Sequence, residues 1–325
     1  MANRHYGKIG DIWKHLPLAE ILTIERPARY WESHAGSAYY PLTHSAQRDY
    51  GIYHFLSEAH ESRLLEDSAY YWLTSCLAES SETPIYPGSP GIALATLDAA
   101  RTQFVFCDTD QDSLTSIRNA AQGNEPAPRV ETVCGDGLVH MRKALKDLSY
   151  EEAADTLLFI DPYDLLEPTP DGFTALGLFC EAARRGVKTI LWFGYSASTE
   201  YNELIEHLDH AFRVYQLDTI AHRLWMGHVR LESVQEVYSG FNPGVWGCAV
   251  LCANLSHESL GACAHLGQAL DRIYRSSHMV DNTPGAICFQ QAMFGVVSIR
   301  TDAAITAAPG LMGIKHQKVP LEHTL

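Results

Sequence analysis

The chain has 325 residues, 46% hydrophobic and 19% charged, with a net charge of −15. That supplies a sizeable core, enough for one large α/β domain with an insertion or for two domains. Lys and Arg number 24 against 39 Asp and Glu, and the densest basic group is Arg184-Arg185 with Lys188, so the chain shows no obvious basic face for phosphate binding and RNA is disfavoured as a partner without being excluded. The apolar runs are far too short to span a membrane. Met1-Ala2-Asn3-Arg4-His5-Tyr6 has no apolar signal segment, so a cytoplasmic location is expected.

Eight cysteines are scattered without paired C-x-x-C spacing. They are expected as buried reduced thiols, with neither disulfides nor a metal site. Cys248 and Cys252, four apart, are read as core residues able to share a helix face.

In chain order, residues 1–28 are predicted as a short arm and a helix. Ile12, His15, Leu16, Ala19 and Leu22 share its face, and Pro17 interrupts it unless placed in the first turn. Tyr30 to Ser37 reads as a strand and a small-residue turn. Residues 44–84, rich in Leu, Tyr, Glu and Ala at helical spacing, read as a helical insertion, with Glu58, Glu61 and Glu66 on the wet side. Ile85 to Pro90 is predicted as a rigid turn and Gly91 to Ala100 as a helix. Then follow a strand (Gln103–Asp108), a helix (Asp112–Ala121), a loop (Gly123–Pro128), a strand (Val130–Val133) and a helix (Leu138–Leu148).

Thr156 to Ile160 is a continuous apolar run that ends in Asp161-Pro162-Tyr163-Asp164, the pattern of a buried parallel strand delivering a carboxylate to the crevice beyond its end. A helix (Phe173–Arg185), a strand (Thr189–Phe193) and a helix (Glu200–Phe212) come next. Arg213–Asp218, Val229–Val237 and Val245–Leu251 read as further strands, antiparallel at one edge, and Ser259–Arg275 as a helix. The last fifty residues show little periodicity. Strands alternating with helices predict an α/β fold, a mostly parallel sheet covered on both faces. Strands ending in Asp108, Asp136 and Asp161, one per βα unit, suit a nucleoside ligand, although each acid alone is more often a helix cap.

These pieces together resemble the RlmJ family of large-subunit ribosomal RNA adenine-N6 methyltransferases. The motifs are His5-Tyr-Gly-Lys-Ile-Gly-Asp11-Ile-Trp-Lys14-His15, Ser33-His34-Ala35-Gly36, Tyr86-Pro87-Gly88-Ser89-Pro90, Gly135-Asp136-Gly137 and Phe159-Ile160-Asp161-Pro162. The resemblance implies a Rossmann-like class I methyltransferase fold that binds S-adenosylmethionine (SAM), as one domain over 1–325. By motif, His15 and His34 would touch the methionine end, Ser89 would help hold the cofactor, and Asp108 would bind the ribose. Asp136 with Gly137 would read the adenine, and Asp161 would face the sulfonium.

The family's D-P-P-Y tetrapeptide is replaced by Asp161-Pro162-Tyr163-Asp164, which shifts the aromatic ring that stacks on a flipped base. The expected function is therefore a SAM-dependent reaction on a small molecule. One form is methyl transfer to a small acceptor. The other is cyclisation of SAM itself to aminocyclopropane- or azetidine-carboxylate with release of methylthioadenosine. Asp161, Tyr163 or Lys14 would be the base or orienting group. Ribosomal RNA methylation and a non-catalytic SAM-binding role are the alternatives. Oligomeric state is not legible in the chain.

Overall fold

The strand around which the sheet is built is β1 (Arg29–Glu32), short and buried beyond its first residue. In the computed structural model, which describes residues 6–79, 84–123, 126–217, 221–231, 245–276 and 287–293, it lies between β4 (Gln103–Asp108) and β6 (Thr156–Ile160), parallel to both. Beyond β4 comes β5 (Arg129–Cys134), and beyond β6 comes β7 (Lys188–Tyr195), both parallel. Next to β7 is β9 (Gly247–Ala253), antiparallel to it and to β8 (Trp225–Leu231), and β10 (Ile287–Met293) closes that edge. The eight-stranded order is thus β10-β8-β9-β7-β6-β1-β4-β5. The strand order reverses between β1 and β6, which remain parallel, and their carboxyl ends form the switch-point crevice where open α/β sheets bind ligands. This is the Rossmann-like class I methyltransferase fold, five parallel strands extended at one edge by β9, β8 and β10, of which β9 and β10 run antiparallel to the rest.

Alternation along the strands explains the two covered faces. Tyr30, Phe104, Phe106, Leu157, Phe159 and Ile190 point to one core, while Trp31, Val105, Leu158, Ile160 and Leu191 point to the other. The first core is covered by α1 (Ile9–Glu25), by α7 (Gln111–Gln122) after β4, and by α12 (His257–Ser276). The second is covered by α8 (Gly137–Asp147), α10 (Ala175–Arg184) and α11 (Ser198–Val214), with α9 (Tyr150–Ala154) leading into β6.

The insertion after β1 begins with β2 (Tyr39–Pro41). It continues through the short helices α2 (Ala46–Arg48), α3 (His54–Glu58) and α4 (Arg63–Glu66) to α5 (Ala69–Glu79), which packs on α1. A π-helical stretch, Asp49–Tyr53, joins α2 to α3.

Several expectations change. Pro17 sits inside α1 without ending it. An internal proline costs about 3 kcal/mol, and α1 offsets this by burying nearly every residue from Ile9 to Leu22. Ile85–Pro90 is not a free turn: Ile85–Pro87 is strand β3, paired antiparallel with β2, and Ser89 opens helix α6 (Ser89–Thr96). Gly88 is needed there because an added Cβ would lie 2.2 Å from the Ser37 carbonyl. Arg213–Leu217 is the end of α11 and a turn instead of a strand, since the chain only reverses there. Cys248 and Cys252 share the face of strand β9, not of a helix, because i and i+4 coincide in both periods. Within the last fifty residues, β10 pairs with β8 and was hidden from periodicity by its polar Gln290-Gln291. The predicted strand at Val229–Val237 runs partly into 232–244, outside the described residues. So do Met1–His5, residues 80–83, part of the 123–128 loop, Asp218 and residues 294–325, so the expected domain over 1–325 extends past them. No helix among the described residues is long and apolar enough to cross a membrane.

Candidate active site

A cavity of about 1160 Å³ opens at the carboxyl ends of β1, β4, β6 and β7. All nine predicted site residues line it: Lys14, His15, His34, Ser89, Asp108, Asp136, Gly137, Asp161 and Tyr163. They come from distant stretches because α1 crosses the switch point and brings Lys14 and His15 over the end of β6.

At the centre is a buried ion cluster. Lys14 Nζ donates to Asp161 Oδ2 at 2.8 Å and lies 3.0 Å from Asp11 Oδ1, with the Trp192 ring centroid 5.1 Å away. Burial alone would lower the Lys14 pKa, but the two carboxylates more than offset it and raise it above the usual lysine value. Held between two carboxylates, Lys14 is placed as a cation that orients Asp161. Asp161 Oδ1 has no partner among the described residues and is the free acceptor of the cluster.

Beneath this cluster lies Glu32, fully buried at the end of β1. Ser89 donates a short hydrogen bond to its Oε1, and Tyr30 donates to Oε2 at 3.1 Å. Burial drives the Glu32 pKa well above the carboxylate range, and Asp161 adds to the rise against the pull of these two donors. Sequence reading overlooked Glu32, although it ends an apolar strand as Asp108 and Asp161 do. Ser89, in turn, directs its hydroxyl inward to Glu32 instead of into the cavity.

The acids of the neighbouring strands are partly engaged. Asp108 accepts from the Gly36 N–H through Oδ2 and from the Asp110 N–H through Oδ1, each at 2.7 Å, and keeps one lone-pair direction on each oxygen. Asp136 does cap a helix: its Oδ1 accepts from Leu138 N–H at 2.8 Å and Val139 N–H at 3.3 Å, and Oδ2 remains for a ligand donor. Gly137 is required by packing: a Cβ there would lie 1.8 Å from the Ser33 carbonyl oxygen. His34 is bonded through Nδ1 to Ser33 Oγ at 2.8 Å; burial lowers its pKa against the upward pull of Asp161, Asp108 and Asp136.

Tyr163 departs most from expectation. It is 100% exposed at the cavity rim, because the chain turns outward after Pro162, so its ring is not set against Asp161. The lining is markedly acidic: Asp11, Asp108, Asp110, Asp136, Asp161, Asp164, Glu167 and Glu200 face only Lys8 and Lys14.

A solved structure shares this architecture. Protein LPL1258 of Legionella pneumophila, from the family model DUF519, superimposes with a TM-score of 0.62 at 16% identity, covering 89% of this chain and 98% of its own. The two share a fold. A SAM-dependent methyltransferase from Agrobacterium tumefaciens aligns at TM-score 0.38 and 14% identity over 78% of this chain and 65% of its own. A precorrin-6y C5,15-methyltransferase from Geobacter metallireducens aligns at 0.36 and 10% over 79% and 94%. No protein-family model matches the chain, and no curated protein does.

The donor set fits SAM. Asp136 Oδ2 suits an adenine amine, the open lone pairs of Asp108 suit ribose hydroxyls, and the carboxylates of the cavity suit a sulfonium and an ammonium. All of them border one continuous space.

Proposed function

We propose that the chain is a SAM-dependent methyltransferase acting on a small amine or similar hydrogen-bond donor, on a scaffold like that of the RlmJ family. The acidic cavity carries this reading. Its volume of about 1160 Å³ exceeds the roughly 300–1,000 Å³ of a site for one drug-sized ligand. The surplus runs past Asp161 to Tyr195 and Glu200, where a second molecule fits. A wall of carboxylates repels phosphates and attracts cations, which favours an amine over ribosomal RNA.

Bound SAM supplies a methyl group activated by its sulfonium. Lys14 holds Asp161 through Oδ2, leaving Oδ1 to accept a hydrogen bond from the acceptor's N–H. This aims the acceptor lone pair away from the carboxylate and gives the released proton a place to go. From Oδ1 the proton passes to water at the open mouth.

The full exposure of Tyr163 favours a second reading, in which no acceptor is clamped and SAM is the sole substrate. There the amine or the α-carbon, after losing a proton to Asp161, attacks the γ-carbon. The γ-carbon–sulfur bond breaks and methylthioadenosine leaves.

Incubation of the full chain with SAM alone, with a panel of small amines, or with ribosomal RNA tests these readings. S-adenosylhomocysteine formed with an amine supports the first, and methylthioadenosine from SAM alone supports the second. Product with ribosomal RNA only overturns both, and SAM binding without turnover in every arm marks a non-catalytic protein. Asp161→Asn should keep SAM affinity within about tenfold and lose about 10²-fold in turnover. Undiminished turnover removes Asp161 from its role.

A further inference from the structure

Three buried side chains from three elements form a hydrogen-bonded line that ends at the cavity. Tyr70 Oη of α5 is 3.1 Å from Tyr86 Oη of β3, and Tyr86 Oη is 2.8 Å from His15 Nδ1 of α1. Both phenols are fully buried and His15 is 3% exposed. Neither hydroxyl has another partner among the described residues, so the protons along the line can be counted.

If His15 Nδ1 carried the proton and donated to Tyr86, Tyr86 would donate to Tyr70, and the Tyr70 O–H would end in the core without an acceptor. If Tyr86 accepted from both neighbours, its own O–H would be stranded. Each leaves a buried donor with its full desolvation cost. One order satisfies all three: Tyr70 O–H donates to Tyr86, and Tyr86 O–H donates to an unprotonated Nδ1. Each bond in such a chain also polarises the next.

We infer that the Tyr70–Tyr86 pair fixes His15 as the tautomer protonated on Nε2, making His15 a neutral hydrogen-bond donor to an acceptor group of the ligand. Burial and the neighbouring Lys14 ammonium keep the ring uncharged, so no second proton blurs the choice. With the Lys14 ammonium engaged by Asp161 and Asp11, the His15 Nε2–H is a donor available at this end of the cavity. It suits a carboxylate. On the SAM reading of the site, that group is the carboxylate of the aminobutyrate chain. Tyr70 is then a positioning residue through which the helical insertion sets the polarity of the site.

The tautomer is read directly from the two-bond proton–nitrogen spectrum of the full chain labelled with ¹⁵N-histidine, with His15→Gln assigning the signal. The expected ligand-free spectrum shows His15 protonated on Nε2 at neutral pH. Tyr86→Phe keeps the ring and removes the fixed donor, so the Nδ1–H form should appear beside it. SAM affinity should then fall about tenfold, the equivalent of about 1.4 kcal/mol, while affinity for methylthioadenosine, which lacks the carboxylate, stays unchanged. A wild-type ring protonated on Nδ1 overturns the inference, even if Tyr86→Phe does not fold. An unchanged Tyr86→Phe spectrum, or equal loss for both ligands, overturns it too. Failure of the wild type to bind either ligand overturns the SAM reading instead, and the ligand-free spectrum still decides the tautomer.

Discussion

Lys14→Met tests the idea that a fixed cation holds the reacting carboxylate. The substitution keeps the buried stem and removes the ammonium that lies 2.8 Å from Asp161 and 3.0 Å from Asp11. Removing one partner of a buried pair costs about 3–5 kcal/mol. Side chains of Asp161 and Asp11 are 16% and 12% exposed and the cavity admits water, so the lower end, about 3 kcal/mol, is expected at pH 7.

The pH dependence has a definite sign. In the wild type the raised Lys14 pKa means that its contribution is fully present below the unfolded value of about 10.5 and is lost only as pH rises beyond it. In the variant that contribution is absent, and two buried carboxylates are left to repel one another. The gap between the two proteins is therefore full at neutral pH and closes only as the wild-type ammonium is lost in strong alkali. Urea denaturation of both proteins, followed by tryptophan fluorescence between pH 4 and 9, measures the gap. A gap below about 1 kcal/mol at pH 7 refutes the reasoning. Adding Asp161→Asn to Lys14→Met should recover about half of the loss, because one unpaired charge is removed.

Other consequences are local. His228, buried behind a short hydrogen bond with Tyr195 and a stacked Tyr201, has its pKa lowered to about 4 by burial and by Arg230. A depressed histidine contributes no penalty above its unfolded value near 6.5 and destabilises as pH falls toward 4, by up to about 3 kcal/mol; denaturation of His228→Gln should lack that component, and parallel curves for the two proteins would rule it out. Gly137→Ala gains about 1 kcal/mol of helix propensity. It also drives a Cβ to 1.8 Å from the Ser33 carbonyl, so a net loss of at least about 2 kcal/mol is expected, read as a lower melting temperature. Tyr163→Ala, at a fully exposed position, should change stability by less than about 0.5 kcal/mol; a larger loss would mean that the ring packs against the protein.

Asp108 and Asp161 were found from local pattern alone, because a buried strand writes a continuous apolar run and a polar stop into the chain. Asp136 was legible in two ways, as strand end and as cap, and the structure keeps both: one oxygen closes α8 and the other faces the cavity. Lys14 and His15 were legible only through their motif, since a helix period says that they are buried without saying what they meet. Glu32 followed the same strand-end rule as Asp108 but was masked by the Ser33-His34-Ala35-Gly36 motif beside it.

The apolar pattern of the chain thus determined by itself the parallel strands β1, β4, β5, β6 and β7 and the helices between them, but not β3, β10 or the turn at Arg213–Leu217. Three matters belonged to the tertiary structure alone. The charge state of Lys14 depends on two carboxylates, one of them 147 residues away. The direction of Tyr163 depends on how the backbone leaves Pro162. The pairing of Tyr70 with Tyr86 and His15 joins an insertion, a two-stranded ribbon and the first helix. Each is a property of distances across the fold, and a linear pattern of apolar and polar residues carries no record of those distances.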